Sequence, residues 1–158
     1  MPKRSAGLLV YRRAADGGLE ILLVHPGGPF WASKDDGAWS IPKGEIDDPA
    51  EDPLSVAVRE FEEELGSAPR DVTDAIPLGE LRQPSGKVVT AWAVEGDLDV
   101  SNVRSNTFEM EWPPRSGGKQ EFPEVDRAGW FPIEDARRKL LKGQVAFLDR
   151  LLDRIATA

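Results

Sequence analysis

Apolar residues fall along this chain in short strand-length runs and in longer helical repeats, and the two kinds alternate. Residues 5–11 (SAGLLVY) and 19–25 (LEILLVH) are runs of the first kind, joined by a segment whose Gly17 and Gly18 mark a turn, and they predict a strand pair. Residues 76–83 and 87–95 flank Pro84-Ser85-Gly86 and predict a hairpin. Residues 39–42, 107–112 and 127–131 read as further short strands, and 133–141 and 144–155 as helices. In the last of these Val145, Leu148, Leu152 and Ile155 keep helical spacing, which suits a helix covering a sheet. Residues 26–37 and 113–118 are loops by their glycine and proline content, while 97–105 fits neither pattern.

The best-marked element is a helix over residues 53–65. Asp52 is a good N-cap, Pro53 suits the first turn, and Gly66 sits where a left-handed C-cap residue belongs. At about 100° per residue, Leu54, Val58, Phe61 and Leu65 share one stripe, the expected core face. Glu60, Glu63 and Glu64 share another, because residues three and four apart are neighbours on a helix, and Glu62 points elsewhere. Like charges at that spacing cost a helix a few tenths of a kcal/mol per pair, so such a stripe is either a solvated acidic face or the site of a compensating cation. Hard divalent cations take carboxylate and phosphate oxygens together.

Composition narrows the classes. The 158 residues, 40% hydrophobic and 30% charged, suffice for one ordinary core, so a single domain over residues 1–158 is expected. A formal net charge of −8 argues against a protein that coats nucleic acid or a membrane surface, so no nucleic-acid polymer or membrane partner is expected. The chain has no cysteine, hence no disulfide framework and no thiolate site, and no apolar run approaches a membrane span; a cytoplasmic location is the default. Phe30 and Trp31 lie on the polar loop 26–37, where an aromatic ring can stack a base or fold back on the core. The one histidine, His25, has no sequence partner and is assigned no role.

The flanks of the acidic helix decide between the two readings of its stripe. Gly44, Glu51, Arg59, Glu60, Phe61, Glu63, Glu64 and Gly66 resemble the Nudix box, G-x5-E-x7-R-E-U-x-E-E-x-G-U with U a bulky aliphatic residue. Two departures stand out: six residues, not five, separate Gly44 from Glu51, and Ser67 occupies the last aliphatic position. A weaker likeness runs over Glu124 to Trp130, where family members carry an acidic residue and then a strand tryptophan. The resemblance implies an α/β/α sandwich with a mixed central sheet, and hydrolysis of a phosphoanhydride in a nucleoside diphosphate-linked substrate. It implies Mg²⁺ or Mn²⁺ held by Glu60, Glu63 and Glu64 with a backbone carbonyl near Gly44. Arg59 would then orient Glu60 or Glu51, and the general base would be Glu60 or Glu124, with Glu121 third.

Lys43, directly before Gly44, is placed to meet a phosphate, and Pro42-Lys43-Gly44 is similar to the dinucleoside-polyphosphate and diphosphoinositol branches of that family. Trp31 on its loop and Arg4, with Lys3, entering the first strand are the other candidate substrate contacts. A dinucleoside polyphosphate or nucleoside triphosphate is the expected substrate; nucleotide sugars and inositol pyrophosphates present the same anhydride. A catalytically silent Nudix-like binding or regulatory module predicts a broken box, whereas Arg59, Glu60, Glu63 and Glu64 are intact. A Ca²⁺-binding or acidic interaction protein lacks support, since the chain has no D-x-[DN]-x-[DN]-G loop.

Overall fold

Strand β1 (Arg4–Arg13) has partners along both edges, and the rest of the sheet follows from that. On one edge its first residues pair antiparallel with β3 (Lys43–Glu45) and its last with β2 (Leu19–Pro26); on the other it runs parallel to β5 (Val88–Glu95). β4 (Ile76–Arg82) is antiparallel to β5, and β8 (Val125–Pro132) to β2, giving a six-stranded mixed sheet in the order β4-β5-β1-β2-β8 with β3 on β1. This computed structural model describes residues 3–67, 69, 72–101 and 103–156.

Alternation along β1 feeds two cores. Leu9 and Tyr11 point to one face, where they pack with Ala136 of α2 (Ile133–Lys139) and Phe147, Leu148 and Leu151 of α3 (Ala146–Ala156). Ala6, Leu8 and Val10 point to the other and pack with Val56, Ala57, Phe61 and Leu65 of α1 (Pro53–Leu65). Successive strand residues face opposite sides, so a central strand covered on both must be apolar throughout. Helices on both faces of a mixed sheet are the layered α/β arrangement the sequence implied, and no helix among the described residues is long and apolar enough to cross a membrane.

The differences from the sequence pattern have local causes. Residues 39–42 form two isolated bridges, Val24 with Ser40 and Trp39 with Leu140, instead of a strand. Pro42 has no N–H to extend a ladder and contributes only its carbonyl, which accepts from Leu8 N at 3.1 Å. Residues 119–123, which show no clear alternation, become β7 (Lys119–Pro123) by pairing with β6 (Thr107–Glu111) in a separate ribbon. The last helix starts later than its apolar spacing suggests, behind a 3₁₀ turn at Lys142–Gln144, and buries Leu151 while Leu152 stays 38% exposed.

On α1 the buried set is Val56, Ala57, Phe61 and Leu65, with Leu54 and Val58 only partly covered. Val56 is four residues before Glu60, on the acidic stripe, so that stripe also faces protein. Phe61 is fully buried between α1 and the sheet. Its replacement by alanine is expected to cost about 3–5 kcal/mol, read as a lower midpoint in denaturant; an unchanged midpoint would contradict the helix phase.

Candidate active site

Helix α1 is held in register at both ends. The Asp52 carboxylate accepts from Ser55 N at 3.2 Å and from Ser55 Oγ at 2.9 Å, and Gly66, at φ 81°, donates its N–H to Glu62 O at 2.7 Å. A left-handed residue at that point costs glycine nothing. With the register set, Glu60 and Glu64 turn toward β3, Glu63 lies half-buried beside Glu60, and Glu62 stays exposed. Glu60 lies so close to Gly44 that a β-carbon there would overlap its carboxyl. The first glycine of the box is therefore the surface on which Glu60 rests.

Arg59 reaches back along the loop. Its Nη1 lies 2.7 Å from Glu51 Oε2 and its Nη2 3.9 Å from Glu60 Oε1. The extra loop residue thus leaves Glu51 able to meet Arg59, and their hydrogen bond holds the guanidinium above its usual pKa.

Burial dominates the electrostatics. The Glu60 carboxyl is pushed up to about 7, by desolvation first and then by the charge and hydrogen bond of Glu63, against the pull of Arg59. The Glu64 carboxyl is pushed up to about 8 by desolvation, opposed by the Lys43 charge and a bond from the Lys43 backbone N–H. Glu64 Oε2 is buried with no protein partner. Burial and the neighbouring Lys87 charge in turn hold the Lys43 ammonium below its usual value, against the opposing charges of Glu64 and Glu45.

A cavity of about 190 Å³ opens beside these groups, lined by Trp31, Ser40, Lys43, Glu64 and Glu124 with an apolar wall that includes Val24 and Ile41. Lys43, Trp31 and Glu124 therefore line the same cavity as Glu64, and Trp31 also packs partly on the core. The Glu124 backbone is held between Asn106 and Gly27, and Asn106 N donates to Glu63 O at the end of α1. Arg4 is elsewhere, 3.2 Å from Glu80 on the sheet edge, and Lys3 pairs with Glu45 at 3.8 Å. Glu121 is exposed on the ribbon opposite Glu109.

One organising residue escaped the sequence reading. Gln144 is fully buried, accepts from Ile41 N at 3.0 Å and donates to Ser40 Oγ at 3.0 Å, fixing the backbone that delivers Lys43 and Gly44. A polar residue directly ahead of the apolar repeat at Val145 and Leu148 was the available signal.

The match to a family of known proteins covers this whole arrangement. A model of the NUDIX domain matches residues 1–154. The chain belongs to the Nudix family. Among solved structures, a Caenorhabditis elegans Ap4A hydrolase in a binary complex has a TM-score of 0.68 at 23% identity, covering 98% of this chain and 99% of that one. The NUDIX domain of Shewanella oneidensis NrtR complexed with ADP ribose has a TM-score of 0.65 at 16% identity, covering 98% and 89%. A mutT/nudix family protein from Listeria innocua scores 0.62 at 18% identity, covering 99% and 96%. At these identities the likeness speaks for the Nudix fold.

Nudix hydrolases generally use divalent metal ions. Among the described residues no three carboxylate or imidazole groups already stand as a cation cage, and Glu60 and Glu63 share a hydrogen bond that needs a proton. The donor set still fits such an ion: the neighbouring carboxyls are partly withdrawn from water and one has an unpartnered oxygen, so a cation among them would offset the cost of their ionised forms.

A stability signature follows. Unfolded, these glutamates titrate near 4.5, whereas in the fold Glu60 and Glu64 hold their protons to about 7 and 8. The folded state binds more protons over that window, so their contribution to stability falls as pH rises from about 5 to 8. Without metal, Glu64→Gln is expected to flatten part of that slope and to be at least as stable as the parent at pH 8. Mg²⁺ should raise the parent's melting temperature more at pH 8 than at pH 5. Parallel pH profiles for parent and variant would contradict the burial of Glu64.

Proposed function

We propose that this Nudix pyrophosphohydrolase opens a phosphoanhydride in a nucleotide carrying at least three linked phosphates, a dinucleoside polyphosphate or a nucleoside triphosphate, with Mg²⁺ or Mn²⁺ as cofactor. The observation that carries the reading is the shared cavity, in which an unpartnered carboxylate oxygen of Glu64, the Lys43 side of β3 and the Trp31 ring come together. The C. elegans neighbour is an Ap4A hydrolase, and the S. oneidensis domain is complexed with ADP ribose, so the fold accommodates nucleotides of both kinds.

Glu60, Glu63 and Glu64, with a backbone carbonyl at Gly44, are the residues that would hold the cation. When bound, that ion withdraws charge from the phosphate oxygens and lowers the cost of placing a polyphosphate against an acidic surface. The remaining roles belong to the chain. Lys43 meets the phosphates, Trp31 offers a face to a base, and Arg59 fixes Glu51 and Glu60 by its two ion pairs. Water attacks phosphorus, its O–P bond forming as the bridging P–O bond of the anhydride breaks, and the other phosphate leaves with that bridging oxygen. The water's proton goes to a carboxylate, either Glu124 in the cavity lining or Glu60. Loss of the base removes proton transfer and loss of a ligand removes metal affinity, so Glu124→Gln and Glu60→Gln separate the two roles through the metal concentration each requires.

Two measurements test the assignment. Glu64→Gln is expected to lower kcat by roughly 10³-fold at saturating Mg²⁺ while the circular dichroism spectrum is unchanged; full activity would defeat the metal-site reading. On a panel of dinucleoside polyphosphates, nucleoside triphosphates, nucleotide sugars and inositol pyrophosphates, Lys43→Ala should lose about 10–100-fold in kcat/KM on polyphosphates and less on nucleotide sugars. A parent enzyme that prefers a nucleotide sugar tenfold would retain the Nudix chemistry and overturn the substrate class.

A further inference from the structure

The loop over residues 27–37 carries Trp31 to the cavity, and one buried side chain grips it from below. His25, the only histidine in the chain, is fully buried on β2. Its Nδ1 lies 2.9 Å from Asp126 Oδ1 on β8 and its Nε2 lies 2.6 Å from the backbone oxygen of Lys34. A backbone carbonyl can only accept. Asp126, about one-third exposed with Arg127 Nε at 3.9 Å, presents a carboxylate oxygen to the ring and also only accepts. Both ring nitrogens must therefore carry hydrogen, which makes the imidazole a cation with two donors.

Lys34 is the link to the site. Its N–H donates to Trp31 O at 2.9 Å, its ammonium lies 5.1 Å from the centre of the Trp31 ring, and its carbonyl is the group His25 holds. The far end of the loop is fastened separately: Trp39 Nε1 donates to Asp35 at 2.8 Å, Lys139 Nζ is 2.6 Å from Asp35 and 3.1 Å from Asp36, and Arg138 is 3.3 Å from Asp36. His25 packs edge-on to Trp39 at 5.1 Å, with Arg127 over the other ring at 5.3 Å. Within the segment itself Trp31 N donates to Gly28 O at 3.3 Å, and Phe30 packs edge-on to Trp112 at 5.8 Å, so the bond from His25 to Lys34 is the hold that reaches Trp31 from the β2 side.

We infer that His25, as an imidazolium, is a positioning residue for the substrate: through Lys34 it holds Trp31 against the cavity, and loss of its proton releases that ring. The direction follows from the two acceptors. The carboxylate is the stronger of them, so a neutral ring keeps its hydrogen on Nδ1 toward Asp126. The bare Nε2 lone pair then faces the Lys34 carbonyl oxygen, and that bond turns into a repulsion. The hold is present while both ring nitrogens carry hydrogen and is lost with the Nε2 hydrogen. The contribution to substrate affinity rests on the placement of Trp31 in the substrate site proposed above; the link from His25 to Trp31 stands independently of it.

A single histidine makes the test clean. Its ring C–H resonance is followed against pH together with the indole N–H of Trp31, identified by Trp31→Phe, and KM and kcat for the best polyphosphate substrate are measured over the same range. The Trp31 signal is expected to move with the midpoint of the His25 ring. KM should rise about tenfold on the alkaline side, the loss of one charge-assisted hydrogen bond, with kcat at saturation unaffected by that step. Asp126→Asn removes the charge that favours the imidazolium and should shift the ring midpoint, the Trp31 signal and the KM rise together to lower pH.

A Trp31 resonance that stays fixed while His25 titrates overturns the inference, as does an Asp126→Asn variant in which the ring midpoint moves and KM does not. Should no polyphosphate be hydrolysed, the substrate proposal fails while the coupled resonances still decide whether His25 holds Trp31.

Discussion

The fold depends on burying an acidic helix face against the backbone of β3. Carboxylates removed from water lose hydration, and Glu60 and Glu64 respond by holding their protons to about 7 and 8. The loss is tolerated because the same helix sinks Val56, Ala57, Phe61 and Leu65 into the core at full depth. Hydrophobic burial of that size exceeds the cost of two neutralised acids, so the helix stays seated with its charges suppressed. A site built this way confines its carboxyls between the helix and the backbone of β3.

Strand β1 sets those carboxyls in a rigid frame. Its Ala6 pairs with Gly44, the glycine on which Glu60 rests, while on the opposite edge it carries the parallel pairing to β5. Any shift of β3 would break pairing with β1 and lift Gly44 from Glu60 together. Gln144 adds a second restraint from the other face of the sheet, by taking the Ile41 N–H that the irregular segment 39–42 leaves without a ladder partner. The acidic site thus depends on packing from both layers.

The helix limits, the hairpin of β4 and β5 and the meeting of Glu60, Glu63 and Glu64 were legible in the chain because each follows from contacts close in sequence. Caps act within three residues, a hairpin within a turn, and a helix stripe within two turns. What was not legible came from long-range pairing. β7 exists through β6, Val56 is buried because α1 packs on strands distant in sequence, and Gln144 acts across the sheet on Ile41, 103 residues away. The placement of Arg4 shows the same limit: its strand was evident, but the neighbour that captures it, Glu80, lies 76 positions on. His25 looked unremarkable for the same reason, since its partner Asp126 is 101 residues distant.

The two halves of the site are built to different tolerances. Glu60, Glu63, Glu64 and Gly44 sit on a capped helix and a paired strand, where moving one group means breaking a ladder or a core. Trp31 and Glu124 sit on connecting backbone held by individual hydrogen bonds, among them Gly27 N to Glu124 O at 2.9 Å and Lys34 N to Trp31 O at 2.9 Å. Regular elements open only with large parts of the fold, whereas such loops open locally at small cost. The carboxylate cluster therefore stands on the rigid half of the cavity, and Trp31 and Glu124 stand on the adjustable one. Substitutions in residues 27–37 can then shift Trp31 without disturbing the carboxylates, because the loop opens on its own while the helix and β3 stay paired.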